Sequence, residues 1–206
     1  PSQFVNNPDL KPENSVAFDV GVEQQLGDAL NLQLTLFRQD LEDEINGFVY
    51  DPVTFLSTAA NMEGKSNRKG VEAVVGWTIS EHLGVNASYT YVDSRADDMR
   101  EVRRPRHSGS VDIDYRFLDD RARVSLNAAY GGTRTDTFFP PWPNPPEVVT
   151  LDSHWLLDLT ARYRWSPSTA LFVRVNNLLD TDYEHVYGYR TPGRAAYVGV
   201  QVSVGN

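Results

Sequence analysis

The chain has 206 residues, with 19 Lys and Arg against 28 Asp and Glu, a net charge of −9 and no cysteine. The acidic balance excludes nucleic acid as a partner, because phosphate binding needs a basic face; the missing thiols exclude a disulfide scaffold, a thiol nucleophile and cysteine-held zinc. No run approaches eighteen apolar residues, so no membrane-spanning helix is predicted, and any signal peptide is expected to lie upstream of Pro1 or to have been removed.

In chain order, hydrophobicity alternates with a period of two. Val16, Phe18, Val20 and Val22 interleave with Ala17, Asp19, Gly21 and Glu23. Leu30, Leu32, Leu34 and Leu36 follow, then Val71, Ala73, Val75 and Trp77. The next stripes are Leu83 to Tyr91, Val111 to Phe117 and Val124 to Tyr130. Trp155 to Trp165, Leu171 to Val175 and Ala196 to Val204 complete the series. These nine segments each predict a strand with one apolar and one largely polar face. Short turns at residues 26–29, 80–82, 118–121 and 166–168 alternate with long segments at 46–68, 93–102, 131–153 and 178–192. An up-and-down meander with one smooth rim and one loop-rich rim gives this pattern.

A soluble antiparallel sandwich also alternates. Three features favour a transmembrane β-barrel. The apolar stripes are nearly free of polar residues. Aromatics sit at both ends of them: Trp77, Tyr115, Phe117, Tyr163 and Trp165 beside short turns, and Tyr89, Tyr91, Tyr130 and Trp155 beside long segments. Trp155 to Trp165 is ten steps, about 33 Å of strand, which tilted about 40° spans roughly the 25 Å of an apolar band. Lipid demands a closed sheet, and nine is an odd count, so the chain is expected to be part of a larger barrel.

Several motifs resemble the TonB-dependent outer-membrane receptor family. Asn7-Pro8-Asp9-Leu10-Lys11-Pro12-Glu13 is similar to its lead-in to a barrel strand, and Lys69-Gly70-Val71-Glu72 to its Gly-Val-Glu strand start. Arg103-Arg104-Pro105-Arg106-His107 resembles its Arg-x-Pro-x-His segment. Asn177-Leu178-Leu179-Asp180-Thr181-Asp182-Tyr183 and Gly188-Tyr189-Arg190-Thr191-Pro192-Gly193-Arg194 are similar to its penultimate-loop signature. The resemblance implies that residues 1–206 are the C-terminal portion of an all-β, antiparallel, up-and-down barrel of about 22 strands, supplying the last nine. It implies a plug domain upstream, coupling to TonB, residence in the outer membrane among lipid and lipopolysaccharide, and import of a scarce large ligand, with no catalytic residues. The ending Val202-Ser203-Val204-Gly205-Asn206 departs from the aromatic terminus common in the family. The tail 182–191 resembles the cobalamin receptor subgroup, so cobalamin or a ferric siderophore is the implied ligand. By that resemblance Arg103 faces the ligand, with Arg134 and Phe139 where the subgroup has similar residues. A passive porin-like barrel and a soluble β-sheet adhesion domain are the alternatives.

Residue by residue, segment 137–146 stands out, with Phe138, Phe139 and Trp142 among five prolines. It is a stiff apolar surface suited to ligand or partner contact, or a loop packed back over the mouth. Arg103, Arg104 and Arg106 suit an anionic ligand, or pairing with Asp97, Asp98 and Glu101, or with lipopolysaccharide phosphates. Asp158, Arg162, Arg164 and Arg174, with Asp112, Asp114 and Arg116, predict a mixed-charge lumen wall facing the plug or pairing with itself. His82, His107, His154 and His185 lack metal-ligand spacing, and Asp40, Glu42, Asp43 and Glu44 read as a strand extension above the membrane, so no metal or cofactor is predicted.

Overall fold

The computed structural model describes residues 3–51, 53–96 and 99–204. Among them every regular element is a strand. The first are β1 (Gln3–Phe4), β2 (Asn14–Leu26), β3 (Leu30–Glu42), β4 (Ile45–Asp51) and β5 (Leu56–Asn61). Then come β6 (Lys65–Ser80), β7 (Leu83–Ala96), β8 (Met99–Arg100), β9 (His107–Phe117) and β10 (Ala122–Gly131). The last are β11 (Arg134–Phe138), β12 (Glu147–Leu151), β13 (His154–Ser166), β14 (Thr169–Asn176) and β15 (Ala195–Val202).

Nine of these pair in sequence order, β2-β3-β6-β7-β9-β10-β13-β14-β15, all antiparallel, with β8 attached to β7. They are the nine alternating segments of the sequence. The sheet is open, with β2 and β15 at its edges. Register aligns the apolar stripes on one face: Val22 opposes Leu34, which opposes Ala73, which opposes Tyr89. On the far side Leu126 opposes Ile113 and Leu159, and Leu159 opposes Val175. A soluble sandwich would cover such a face. Here Val16 is 75% exposed and Val198 80%. A continuous apolar face this exposed marks a protein or membrane contact surface, and its alternation with a polar face is that of barrel strands.

The aromatic ends of the stripes also fall in register. Tyr89, Gly109, Tyr130 and Trp155 make one row at the long-loop rim, with Tyr130 and Trp155 rings 5.0 Å apart. Tyr115 stacks on Phe117 at 5.4 Å near the short turns.

The structure differs from the sequence reading above the apolar band. β6 begins at Lys65, inside the segment read as a long connection, and pairs residue for residue with the end of β3 as far as Glu42. Asp40 and Glu42 lie in that extension, whereas Asp43 turns the chain with φ 57°. The long connections are not bare loops: β4 and β5 form one hairpin and β11 and β12 another. The lead-in segment 7–13 ties down the first. Asn7 donates to the Ala59 carbonyl at 2.8 Å, Asn61 holds Lys11 at both backbone groups, and Glu13 accepts from the Ile45 amide at 2.6 Å.

Candidate binding surface at the long-loop rim

Three segments distant in sequence meet at Asp136 on β11. Its carboxylate is 1% exposed. Oδ1 accepts from Arg103 Nε at 2.7 Å and from the Thr137 amide at 2.8 Å, and Oδ2 from the Tyr187 amide at 2.8 Å. Arg103 adds a backbone bond to the Thr135 carbonyl at 2.7 Å. Its φ of 62° places it in the left-handed region that a non-glycine adopts at a cost. Burial pushes the Asp136 carboxyl up; the Tyr187 and Thr137 amides and the Arg103 guanidinium outweigh it and hold the group below the usual carboxylate range.

Arg134, two residues earlier on the same hairpin, is buried. It donates to the Glu184 and Gly132 carbonyls and lies 3.4 Å from His185 Nδ1. Burial lowers its pKa from the ordinary arginine value. Phe138 meets Tyr187 edge-on at 5.1 Å. His154 stacks on Tyr183 at 4.6 Å and meets His185 at 5.7 Å. The penultimate loop is folded by its own signature: Asn177, in the left-handed region at φ 49°, exchanges two side-chain bonds with Thr181, each 2.9 Å, and Asp180 accepts from the Arg194 amide at 2.8 Å.

The neighbouring arginines have their own partners. Arg104 lies 2.5 Å from Glu101, Arg68 lies 2.9 Å from Glu101, and Arg106 lies 3.0 Å from Asp93. Burial raises the Glu101 carboxyl, but bonds from Arg68 and Ser94 and the charges of Arg104 and Arg68 bring it below its ordinary range. Of the acids expected from sequence, only Glu101 pairs with this cluster; Asp97 and Asp98 lie outside the described residues. The expected partner set missed Asp136 altogether. A cavity of 160 Å³ opens among Arg100, Arg104, Arg106 and Arg134, with the carboxylates of Asp93 and Glu101 also on its lining.

Phe138 is thus packed inward, while Phe139 is 71% and Trp142 92% exposed. Arg103 and Arg134 belong to one cluster with Phe138; Phe139 and Trp142 project from it. Asp158, Arg162 and Arg174 sit elsewhere, on the polar face of the sheet. Asp112, Asn127 and Asp158 form one row, and Arg116, Arg123 and Arg162 another. The wall pairs in part with itself: Arg123 meets Asp114 at 2.7 Å and Asn127 donates to Asp112 at 2.7 Å. Asp158 accepts from the Asn177 amide at 2.8 Å and Arg174 donates to Asn176 at 2.7 Å.

A family model described as TonB dependent receptor-like, beta-barrel, matches residues 1–178. The ferripyoverdine receptor of the outer membrane of Pseudomonas aeruginosa, bound to ferripyoverdine, is similar at 22% identity with a TM-score of 0.78, over 94% of this chain and 27% of that one. The ferric-catecholate import receptor from E. coli is similar at 23% identity and a TM-score of 0.71, over 94% of this chain and 28% of that one. A siderophore receptor from Acinetobacter baumannii is similar at 22% identity and a TM-score of 0.76, over 98% of this chain and 33% of that one. The likeness is one of fold, and the chain spans about a quarter to a third of these proteins, 27% to 33%.

Proposed function

From a chain that belongs to the TonB-dependent receptor β-barrel family, we propose a role as the C-terminal wall of an outer-membrane receptor that binds a ferric siderophore and imports it with TonB-coupled energy. The polar face of the sheet lines the lumen, where Asp158, Arg162 and Arg174 face a plug domain supplied by the rest of the protein. The rim around Asp136 meets the ligand. No bond is made or broken in the ligand, so no residue here is catalytic.

The observation that carries this reading is the clasp at the long-loop rim. It joins a cavity with four arginines against two carboxylates to a hairpin whose tip exposes Phe139 and Trp142. Arginines in a confined site suit the carboxylate or catecholate oxygens of an iron chelate. Rigid aromatics add contact area at low entropic cost. The same rim would also admit cobalamin, the other ligand implied by the tail motif. Ferric siderophore is preferred because the similar structures are those of ferripyoverdine, ferric-catecholate and siderophore receptors.

The test uses the full receptor. Binding is measured for ferric pyoverdine, a ferric catecholate and cyanocobalamin, and uptake is followed with and without TonB. Tight binding of one iron chelate and TonB-dependent uptake are expected. Uptake independent of TonB would instead make the protein a passive porin-like barrel, and tight binding of cyanocobalamin alone would reassign the ligand.

A further inference from the structure

A second cavity lies beside the clasp. It encloses 300 Å³ between the start of β13 and the penultimate loop, and His154 is part of its lining. Alternation turns Trp155 to the apolar face and His154 to the lumen. Register sets His154 opposite Gly131, where a Cβ would come 2.7 Å from the imidazole. Glycine there lets the ring lie close against β10, and Tyr183 stacks on it at 4.6 Å. The residue is 8% exposed, yet Nδ1 makes no hydrogen bond among the described residues. A buried ring nitrogen is costly to leave unpaired. At neutral pH an imidazole is largely uncharged and one of its nitrogens can accept a hydrogen bond.

The rest of the lining is acidic. Asp152, Asp182 and Glu184 bring carboxylates, and Arg190 is the cation set against them. None of these four side chains has an ion-pair partner among the described residues. Glu184 accepts from the Gly188 amide at 3.1 Å through one oxygen only. Three carboxylates against one guanidinium leave an excess of negative charge, whereas arginines are in excess in the neighbouring cavity at Arg104 and Arg106. Tyr183 and Tyr187 add aromatic rings, whose faces also attract cations. A metal ion fits poorly, because among the described residues no three His, Asp or Glu side chains form a group that could hold one. Sites for whole small molecules run from roughly 300 Å³ upward, so this volume admits an alkyl arm and not an entire iron chelate.

We propose that this cavity is a subsite for a primary alkylammonium group, whose N–H donors meet His154 and the carboxylates of Asp182 and Glu184. An ammonium has three donors and no acceptor, which matches a cavity of unpaired acceptors. The same chemistry is carried by a free diamine and by an amine arm on an iron chelate. In the second case the subsite rests on the receptor reading, with the chelate oxygens in the arginine cavity and the amine here.

The test is calorimetric titration of the full receptor in detergent with putrescine and with 1,4-butanediol, its uncharged analogue. One saturable site for putrescine and none for butanediol are expected. Asp182→Asn and Glu184→Gln should each weaken putrescine about fivefold, as for an exposed ion pair. Arg190→Gln should tighten it, a gain that a merely structural role does not predict. Asp119→Asn, in the turn after β9 at the opposite rim, should change nothing. Equal binding of butanediol, full affinity in both carboxamide variants at the cavity, or an equal loss in Asp119→Asn would overturn the subsite. Competition then identifies the source of the amine. Displacement of putrescine by ferrioxamine B, which carries a free amine, but not by its N-acetyl form would put the ammonium on an iron chelate. Displacement by neither would make a free diamine the occupant, and displacement by both alike would overturn the subsite. TonB-dependent uptake of iron chelates separates the two readings. Uptake without putrescine binding removes the subsite alone, and putrescine binding without uptake removes the import reading alone.

Discussion

Arg103 Nε lies 2.7 Å from Asp136 Oδ1, and the two residues are 33 positions apart in the chain. The pair is unequal, with the carboxylate 1% and the arginine side chain 49% exposed. Removing the buried partner therefore costs more than removing the exposed one. Asp136→Ala leaves the Tyr187 and Thr137 amides without their acceptor and should cost about 2–3 kcal/mol. Arg103→Ala leaves Asp136 two amide donors and should cost about 1 kcal/mol, because solvent already screens that guanidinium. Hydrogen exchange at the Thr137 and Tyr187 amides reads both. Equal protection in the two variants would remove Asp136 from the centre of the clasp.

The same carboxylate sets a pH limit. Its folded pKa is depressed, so its contribution is fully present above the unfolded value of about 3.9 and is lost as pH falls through the lower folded value. The clasp should hold from neutral pH to about pH 4 and open below it. A spin-label distance between positions 102 and 189, both exposed, should stay constant to about pH 4 and broaden under stronger acid. In Asp136→Asn, which cannot ionise, that acid transition should disappear.

Arg134 joins the hairpin to the penultimate loop through the Glu184 carbonyl. Arg134→Met keeps the apolar stem of the side chain and loses the donors. The expected outcome is local opening of residues 177–194 at a cost of about 1–3 kcal/mol. Trypsin should then cleave at Arg190 faster than in the parent. An unchanged digest would show that the Asn177 and Asp180 bonds hold the loop without Arg134.

Much of this architecture is legible in sequence because a strand in lipid must alternate and a closed meander must turn back at regular intervals. Val16 to Val22 and Trp155 to Trp165 are read directly, as are the turns after Leu26 and Phe117. The hairpin of β11 and β12 is not, although Pro145-Pro146 followed by Glu147-Val148-Val149-Thr150-Leu151 is a β-branched run after a breaker. The clasp is harder still. Asp136 lies in a segment singled out for its arginine, but nothing local links it to Arg103 or to the Tyr187 amide. That link depends on how three loops pack. The meeting of His154 with His185 is non-local in the same way.

The Gly-Val-Glu strand start has a steric reason that can be tested. Gly70 stands opposite Phe37 on β3, with the Phe37 ring lying across it. A Cβ at Gly70 would fall 2.0 Å from the Tyr91 carbonyl oxygen and 2.7 Å from that ring. The backbone cannot yield without breaking the β6–β7 ladder. Gly70→Ala should therefore assemble poorly in the full receptor, seen as loss of the compact, heat-modifiable band on a gel. Gly84→Ala, with nothing within 4 Å of its Cβ, should assemble normally and serves as the control.

Phe139 and Trp142 allow contact with ligand to be separated from contact within the fold. At 71% and 92% exposure they hold little of the structure together, so Phe139→Ala and Trp142→Ala should each change stability by less than about 0.5 kcal/mol. If they meet the iron chelate, each removes a rigid aromatic contact, and affinity should fall about tenfold or more. Phe138→Ala is the opposite case. Its ring meets Tyr187 at 5.1 Å, so it should loosen the loop cluster by about 1–3 kcal/mol and lower affinity only through that loosening. Titrating the ferric chelate into the three variants of the full receptor, beside a denaturation series, separates these effects. A loss of affinity in Phe138→Ala alone would place the ligand away from the projecting tip and toward the cavity among Arg100, Arg104 and Arg106.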